Sequence, residues 1–423
     1  MRVQLIWTVI TEVMVTLAGV LLLKFAASML GPLGFGEYAL GRRVVSLLYL
    51  PLIMGLGVAA PRYIAIARAQ ISNQYRESSF AFAMLTAGFL PTLIVVLAVN
   101  VAPSMASRII FGSASLAHMI PPASLALAGI TLHGMIYSIH RGRSEMGIAN
   151  ALQLTNLGIA PLLAFFIGDR TAAQTLLITG ALCLSVSALA LVHLVYTERH
   201  DWHGTASVRE HLRVLLGFGL PRVPGEFALV GLFALPALIA VRTQGVVLAG
   251  QFSAAMSLLT IASGSFAPVG LVVLPRASAM AAASDLAGVR HLVIRILFGG
   301  AALATIGVVI GELIIPPFVH WYFGPAFVAA IPLFRTCLLG TIPYAIHVLM
   351  RSILDALDVR AINARNLIVS VSVLVVLCLV RSEIIWMAWS LVASLALLAV
   401  LTLRDVYLRL RHPLASVHTP VPA

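Results

Sequence analysis

Long apolar runs separated by short polar breaks fill almost the whole chain. A hydrocarbon core of about 30 Å needs roughly 20 apolar residues per crossing helix. Runs of that length fall at about residues 5–30, 38–66, 79–101, 119–139, 147–168 and 173–196. After a polar gap, "YTERHDWHGTASVREHLR", they resume at 214–241, 248–275, 291–315, 327–350, 361–380 and 384–404. The pattern predicts an all-α polytopic membrane protein with twelve transmembrane helices, six on each side of the gap. The domain reading that follows is an N-lobe over 1–196, a cytoplasmic linker over 197–213, a C-lobe over 214–404 and a cytoplasmic tail over 405–423. The tail ends in "HPLASVHTPVPA", a Pro-rich stretch expected to be disordered. The first apolar run is too long and uninterrupted for a cleaved signal peptide.

Composition strengthens this picture. Of 423 residues, 61% are hydrophobic and only 10% are charged, against about 25% charged in an ordinary soluble domain. Mean hydropathy is +1.03. A soluble chain of this kind would expose large apolar patches, so soluble enzymes, secreted disulfide scaffolds and disordered chains are excluded. The net charge of +12 is spread as single residues, with no run that could follow a phosphate backbone, so no nucleic-acid partner is expected. Lys24, the only lysine, lies between Leu23 and Phe25 and not in the Gly-Lys-Ser/Thr setting of a P-loop. Energy must then come from an ion gradient or another subunit. With the N-terminus inside, 17 arginines fall in cytoplasmic loops or termini and four (Arg108, Arg170, Arg242 and Arg381) fall outside. This bias places both termini in the cytoplasm of a cytoplasmic (inner) membrane protein.

The halves repeat each other. Gly36-Glu37-Tyr38 matches Gly250-Gln251-Phe252, and Pro61-Arg62 matches Pro275-Arg276, both at an offset of 214 residues. Glu12 and Glu226 share that offset, Phe111-Gly112 and Phe323-Gly324 are 212 apart, and Arg141 and Arg351 are 210 apart. Six helices per half start both halves on the same side of the membrane, which makes them parallel repeats. Two six-helix lobes around a central cavity are the expected architecture, that of an alternating-access transporter.

The segments "LGPLGFGEYALGRRVVSLLYLPLIMGLGVAAPRYIA", "IHRGRSEMGIANALQL", "LLGFGLPRVPGEF" and "YFGPAFVAAIPLFR" resemble the polysaccharide-biosynthesis family of Wzx-type oligosaccharide flippases. These belong to the multidrug/oligosaccharidyl-lipid/polysaccharide exporter superfamily. The resemblance implies a twelve-helix, two-lobe flippase that moves a polyprenyl-diphosphate-linked glycan between leaflets for surface polysaccharide biosynthesis. Its partners would be that glycan lipid, membrane lipid, and a polysaccharide polymerase or glycosyltransferases. No cofactor or metal is implied, and no enzymatic activity.

Ionisable groups inside membrane helices are costly, about 2.5–3.5 kcal/mol at the centre on insertion scales, and are functional candidates by default. Glu12 and Glu226 stand about two turns into equivalent helices, where a carboxylate can take up and release a proton as solvent access changes. Both are candidates for ion coupling, and relatives in the superfamily keep an acid in the first helix where Glu12 stands. Arg222, four residues before Glu226, could instead neutralise it. Arg42, Arg43, Arg335 and Arg222 are candidate substrate ligands because a guanidinium fork binds diphosphate bidentately. Snorkelling to the interface is the alternative for Arg42 and Arg43, and it is the expectation for Lys24 and Arg295. Arg141 and Arg351 cap helices on the cytoplasmic side and could form an inner gate with Glu145 and Asp355.

Cys183, Cys337 and Cys378 form no metal spacing and read as small buried hydrophobes. His133, His193 and His347 read as hydrogen-bonded core residues. The aromatics of "PPFVHWYFGP" fit an interfacial belt, and Pro221, Pro224 and Pro236 predict a bent seventh helix. The competing functions are a cation-coupled multidrug exporter of the same superfamily, a membrane glycan polymerase and a non-transporting scaffold. An organic-cation exporter should have an acidic, aromatic cavity, a polymerase needs a long outer loop, and a scaffold leaves Glu12 and Glu226 unexplained. The longest outer loop is read at 102–118, too short for a catalytic domain.

Overall fold

The structure is a computed structural model and describes residues 2–69, 77–198, 208–283, 285–358 and 361–411. Arg76, Arg199, Arg360 and the tail beyond Arg411 lie outside the described residues. Among those described there is no strand, and the chain is an all-α multi-pass membrane protein. Helices satisfy their own backbone donors and acceptors, which apolar runs in lipid require.

In chain order the first eight helices are α1 (Arg2–Ile53), α2 (Leu56–Ala69), α3 (Glu77–Val101), α4 (Pro103–Phe111), α5 (Ile120–Gly142), α6 (Met146–Gln153), α7 (Ala160–Leu163) and α8 (Ala172–Glu198). The others are α9 (Val208–Gly219), α10 (Val223–Gly264), α11 (Ala267–Ala282), α12 (Leu286–Tyr322), α13 (Ile331–Leu339), α14 (Thr341–Leu357), α15 (Ile362–Val380) and α16 (Ile384–Arg411). A π-helical stretch, Leu154–Ile159, joins α6 to α7.

Ten spans among the described residues are long and apolar enough to cross a membrane. Two are exceptional: Ile6–Ile53 has 48 residues and Val208–Gly270 has 63. At 1.5 Å per residue the first is about 72 Å long, more than twice the hydrocarbon thickness. Each is interrupted by a glycine, Gly31 with φ 66° and ψ −179° and Gly245 with φ 84° and ψ 174°. That conformation is essentially restricted to glycine. Split at these breaks, the ten spans become twelve segments. Gly31 and Gly245 are 214 residues apart, the offset of the sequence anchors. Gly112 and Gly324 also share a positive φ, 79° and 92°, which accounts for the matched Phe-Gly pairs.

The chain forms two compact units, Met1–Val230 with Gly245–Gly250, and Gly231–Gln244 with Gln251–Ala423. In the first, α5 packs along α8, α3, α2 and α1. Its core gathers Ile53, Leu56, Ile64, Phe80, Met84, Ile136 and Leu215. Close backbone approach depends on glycine here, since a Cβ on Gly250 would overlap Gly36 and one on Gly55 would overlap Gly219. In the second unit, α14 packs on α16, α11 and α12 over Phe266, Val289, Leu349, Met350 and Ile353. Outward positions such as Leu189, Leu313 and Phe298 are apolar and exposed, as surfaces facing lipid should be.

Three boundaries differ from expectation. Residues 103–111 of the supposed outer loop are the helix α4, started by Pro103 and stopped by left-handed Gly112. The chain re-enters helix at Val208, not 214, because α9 is amphipathic and docks one face on α2 and α3. Finally, α16 runs on to Arg411 past the expected 404. There Asp405 accepts from Arg365 at 2.7 Å and Arg409 reaches Asp358 at 2.8 Å.

Candidate functional site

A chain of polar side chains runs from exposed Glu12 into the interior of the first unit. Gln153 donates from Nε2 to Glu12 Oε1 at 3.4 Å. Gln153 Oε1 lies 3.2 Å from His133 Nε2, and Asn156 Nδ2 lies 3.0 Å from His133 Nδ1 and 3.1 Å from Ser187 Oγ. An amide NH₂ only donates and an amide oxygen only accepts, so His133 must be the neutral tautomer carrying its proton on Nε2. The bonds from Asn156 to His133, from His133 to Gln153 and from Gln153 to Glu12 then all run towards Glu12, while Asn156 also donates to Ser187 on the other side. Asn156 is 1% exposed and His133 4%, and Asn156 Oδ1 is buried without a hydrogen-bond partner among the described residues.

Local sequence explains the geometry. Pro161 has no N–H to return to the preceding turn, and Ala160 donates to Thr155, five residues back. The resulting π-helix sets Gln153 and Asn156 against the same imidazole. Such bulges occur disproportionately at functional sites. Tyr137 stacks on His133 with centroids 5.6 Å apart, lies under Arg141 at 5.4 Å and is close enough to Glu12 to interact electrostatically. Asn150 donates to Thr8 at 3.2 Å, fastening α6 to α1 one turn from Glu12.

The other candidates of this unit are dispersed. Glu226, near the start of α10, lies within electrostatic range of Tyr49. Arg222 donates to the Phe218 carbonyl at 2.5 Å and sits 3.6 Å above the Phe218 ring, which Arg62 also approaches at 4.8 Å. Pro221 belongs to a 3-10 turn preceding α10, while Pro236 lies inside α10 and the break in that helix is at Gly245. Arg42 is exposed beside Tyr38, 5.9 Å from its centroid, and Arg43 is half-buried.

In the second unit, Arg335 on α13 meets an acid the sequence reading passed over. Its Nε is 3.4 Å from Glu312 Oε2 on α12, and its Nη2 donates to the Glu312 carbonyl. The pair is half-buried, at 50% and 30% exposure. The signal was available, because Glu312 is a lone acid in an apolar run, as Glu12 is.

The supposed inner gate divides differently. Glu145 pairs with His140 at 2.6 Å, Arg351 with Asp355 at 3.9 Å, and Arg143 with Glu77 at 3.7 Å. His347 is a core residue bonded to Thr402 at 2.9 Å, but His193 is exposed, since its side of α8 faces outward. The three cysteines are buried and none forms a disulfide among the described residues. Phe318 stacks on Tyr322, which meets Phe323 edge-on, and Phe323 meets Phe327 at a tilt, with Trp321 projecting outward. No group of three or more metal-binding side chains occurs among the described residues.

Residues 3–281 match the family described as polysaccharide biosynthesis protein. No curated protein matches the chain by sequence. Among solved structures, it is similar to an inward-facing multidrug resistance MATE family transporter of the MOP superfamily. That likeness has a TM-score of 0.77 at 14% identity and covers 94% of each chain. The outward-facing conformation of a multidrug resistance MATE family transporter scores 0.61 at 13% identity, with 96% and 95% covered. The lipid II flippase MurJ scores 0.69 at 12% identity, covering 95% of this chain and 87% of its own. These proteins are transporters and a flippase, not enzymes.

Proposed function

Because the chain belongs to the polysaccharide biosynthesis protein family, we propose that it is a flippase for a polyprenyl-diphosphate-linked oligosaccharide, working by alternating access. That a multi-pass membrane transporter of this fold belongs to that family is the observation that carries the reading. MurJ, named for flipping lipid II, shares the fold, and with no P-loop in the sequence the energy comes from an ion gradient or from another subunit. In this reading the N-lobe covers 1–196 and the C-lobe 214–404, and both termini face the cytoplasm. The glycan diphosphate is held by Arg42, Arg43, Arg222 and Arg335. Glu12 is the coupling carboxylate of the N-lobe, reached through Gln153 and His133, and Glu226 is its partner in the C-lobe. A polymerase or glycosyltransferases supply and consume the cargo.

Deleting the gene should abolish one surface polysaccharide and cause its lipid-linked unit to accumulate on the cytoplasmic leaflet. Normal polysaccharide with raised sensitivity to cationic drugs would instead favour the second reading, a multidrug exporter. Two observations support that alternative: the similarity to the MATE transporters and Glu312 beside Arg335, which offsets one of the arginines that argue for an anionic cargo.

A further inference from the structure

Helix α9 carries a groove that the reading above does not use. Its buried edge, His211, Leu215 and Gly219, is fixed firmly in the first unit. His211 packs edge-on against Phe80 at 4.5 Å, Leu215 is fully buried, and Gly219 lies so close to Gly55 that neither position has room for a side chain. The opposite edge opens on a groove of about 940 Å³. Leu212, Leu216 and Leu220, spaced four residues apart, form an apolar floor, and Arg209 and Arg213 stand at one end with Glu210 between them.

The charges here differ from those that the fold neutralises. Arg335, Arg351, Arg365 and Arg409 each form an ion pair with an acidic side chain. Arg209 and Arg213 are exposed and are not engaged by an acidic side chain among the described residues. Four residues apart on a helix, their side chains start about 5–6 Å from one another. Two guanidinium forks at that spacing can each take one phosphate of a diphosphate. The leucine stripe then offers hydrocarbon a path along the helix, away from the charged end.

We infer that this groove is a docking site for the membrane lipid diphosphate, with Arg209 and Arg213 on the diphosphate and Leu212, Leu216 and Leu220 along the first part of the prenyl chain. It holds cargo on the face that the arginine distribution assigns to the cytoplasm, before transport begins. The commitment to a diphosphate lipid rests on the flippase reading and on charge: two adjacent arginines match two negative charges, whereas an ordinary acidic phospholipid phosphodiester offers one. A pre-formed groove on a helix already fixed by its other face keeps the ordering cost of binding low.

The test uses the full-length protein in phosphatidylcholine nanodiscs and a geranylgeranyl diphosphate probe bearing a photoreactive group on its chain. Cross-linked peptides should map to 208–221, and R209Q/R213Q should weaken binding about tenfold or more, with R209K/R213K recovering part of the loss. Salt should weaken the wild type more than R209Q/R213Q. If the probe binds wild type but cross-links elsewhere, and R209Q/R213Q binds equally well, the groove is not the docking site and the flippase reading stands. If phosphatidylglycerol displaces the probe at equal concentration, the groove is a general seat for acidic lipid and the proposal is overturned. If wild type binds no diphosphate lipid at all, the docking site and the flippase reading fall together.

Discussion

Glu12 and Arg335 make different demands on an experiment because their neighbours differ. Glu12 ends a run of aligned donors from Gln153, His133 and Asn156, and its proposed role is to exchange a proton. Glu12→Gln keeps the shape and removes the charge, so transport by the variant should no longer respond to collapse of the proton gradient. Equal sensitivity of variant and wild type in vesicles would remove Glu12 from coupling. Losing His133 should also register in stability: His133→Leu strips Gln153 and Asn156 of a buried partner, a cost of about 1–3 kcal/mol, readable as a lower unfolding midpoint in detergent. Arg335 faces a sharper alternative, since it lies 3.4 Å from Glu312. Arg335→Ala should reduce transport at least roughly tenfold, the loss of a charged hydrogen bond to cargo. Adding Glu312→Gln separates the two roles. Transport restored in R335A/E312Q would mean that Arg335 only neutralises the acid, whereas transport still lost would keep it on the substrate.

Among the helices, the two glycine breaks give the cleanest energetic test. At Gly31 and Gly245 any side chain meets a backbone conformation costing about 1–3 kcal/mol, although nothing lies within 4 Å of an added Cβ. Gly31→Ala and Gly245→Ala should therefore lower the unfolding midpoint through strain alone. Gly19→Ala is the control: it also meets open space but lies in regular helix, where alanine gains about 0.5–1 kcal/mol. Its midpoint should stay level or rise. If all three variants behave alike, backbone conformation is not what these glycines supply. Hydropathy located the segments well, because an apolar run of about 20 residues has few alternatives in lipid. It placed α4 in a loop because nine residues with a polar face are too short to register as a span, and it started α9 late because that helix is only half apolar.

At the scale of the whole molecule, the apolar runs, the matched anchors and the lone embedded charges were legible in sequence. The fold class needed nothing more. What was hidden was adjacency. Glu12 and Gln153 are 141 residues apart, and His133 joins them only once α5 and α6 have packed on α1. The repeat showed where the halves match, but not that Gly31 and Gly245 would carry the breaks, since a helical run reads the same through a glycine whatever its φ. Orientation has a direct test, helped by native cysteines that are all buried. A cysteine at exposed Ser113 should react with a membrane-impermeant maleimide in intact cells, and one at exposed Ser144 only after permeabilisation. Reversed labelling would invert the assignment of termini to the cytoplasm.

The π-helical stretch at Leu154–Ile159 also acts as a phase shifter. It holds more residues than a regular α-helix would need to cover the same rise, and each α-helical residue turns the chain by about 100°. Rewinding the stretch to plain α-helix with all its residues kept would rotate Gln153 relative to Pro161 by about that angle and turn the polar side towards lipid. Deleting one residue there, Leu157 for example, would remove the surplus and leave plain α-helix with both flanks still in phase. The extra residue therefore works like a spare tooth in a gear, and only a change that alters the winding without altering the count would throw the two sides out of mesh.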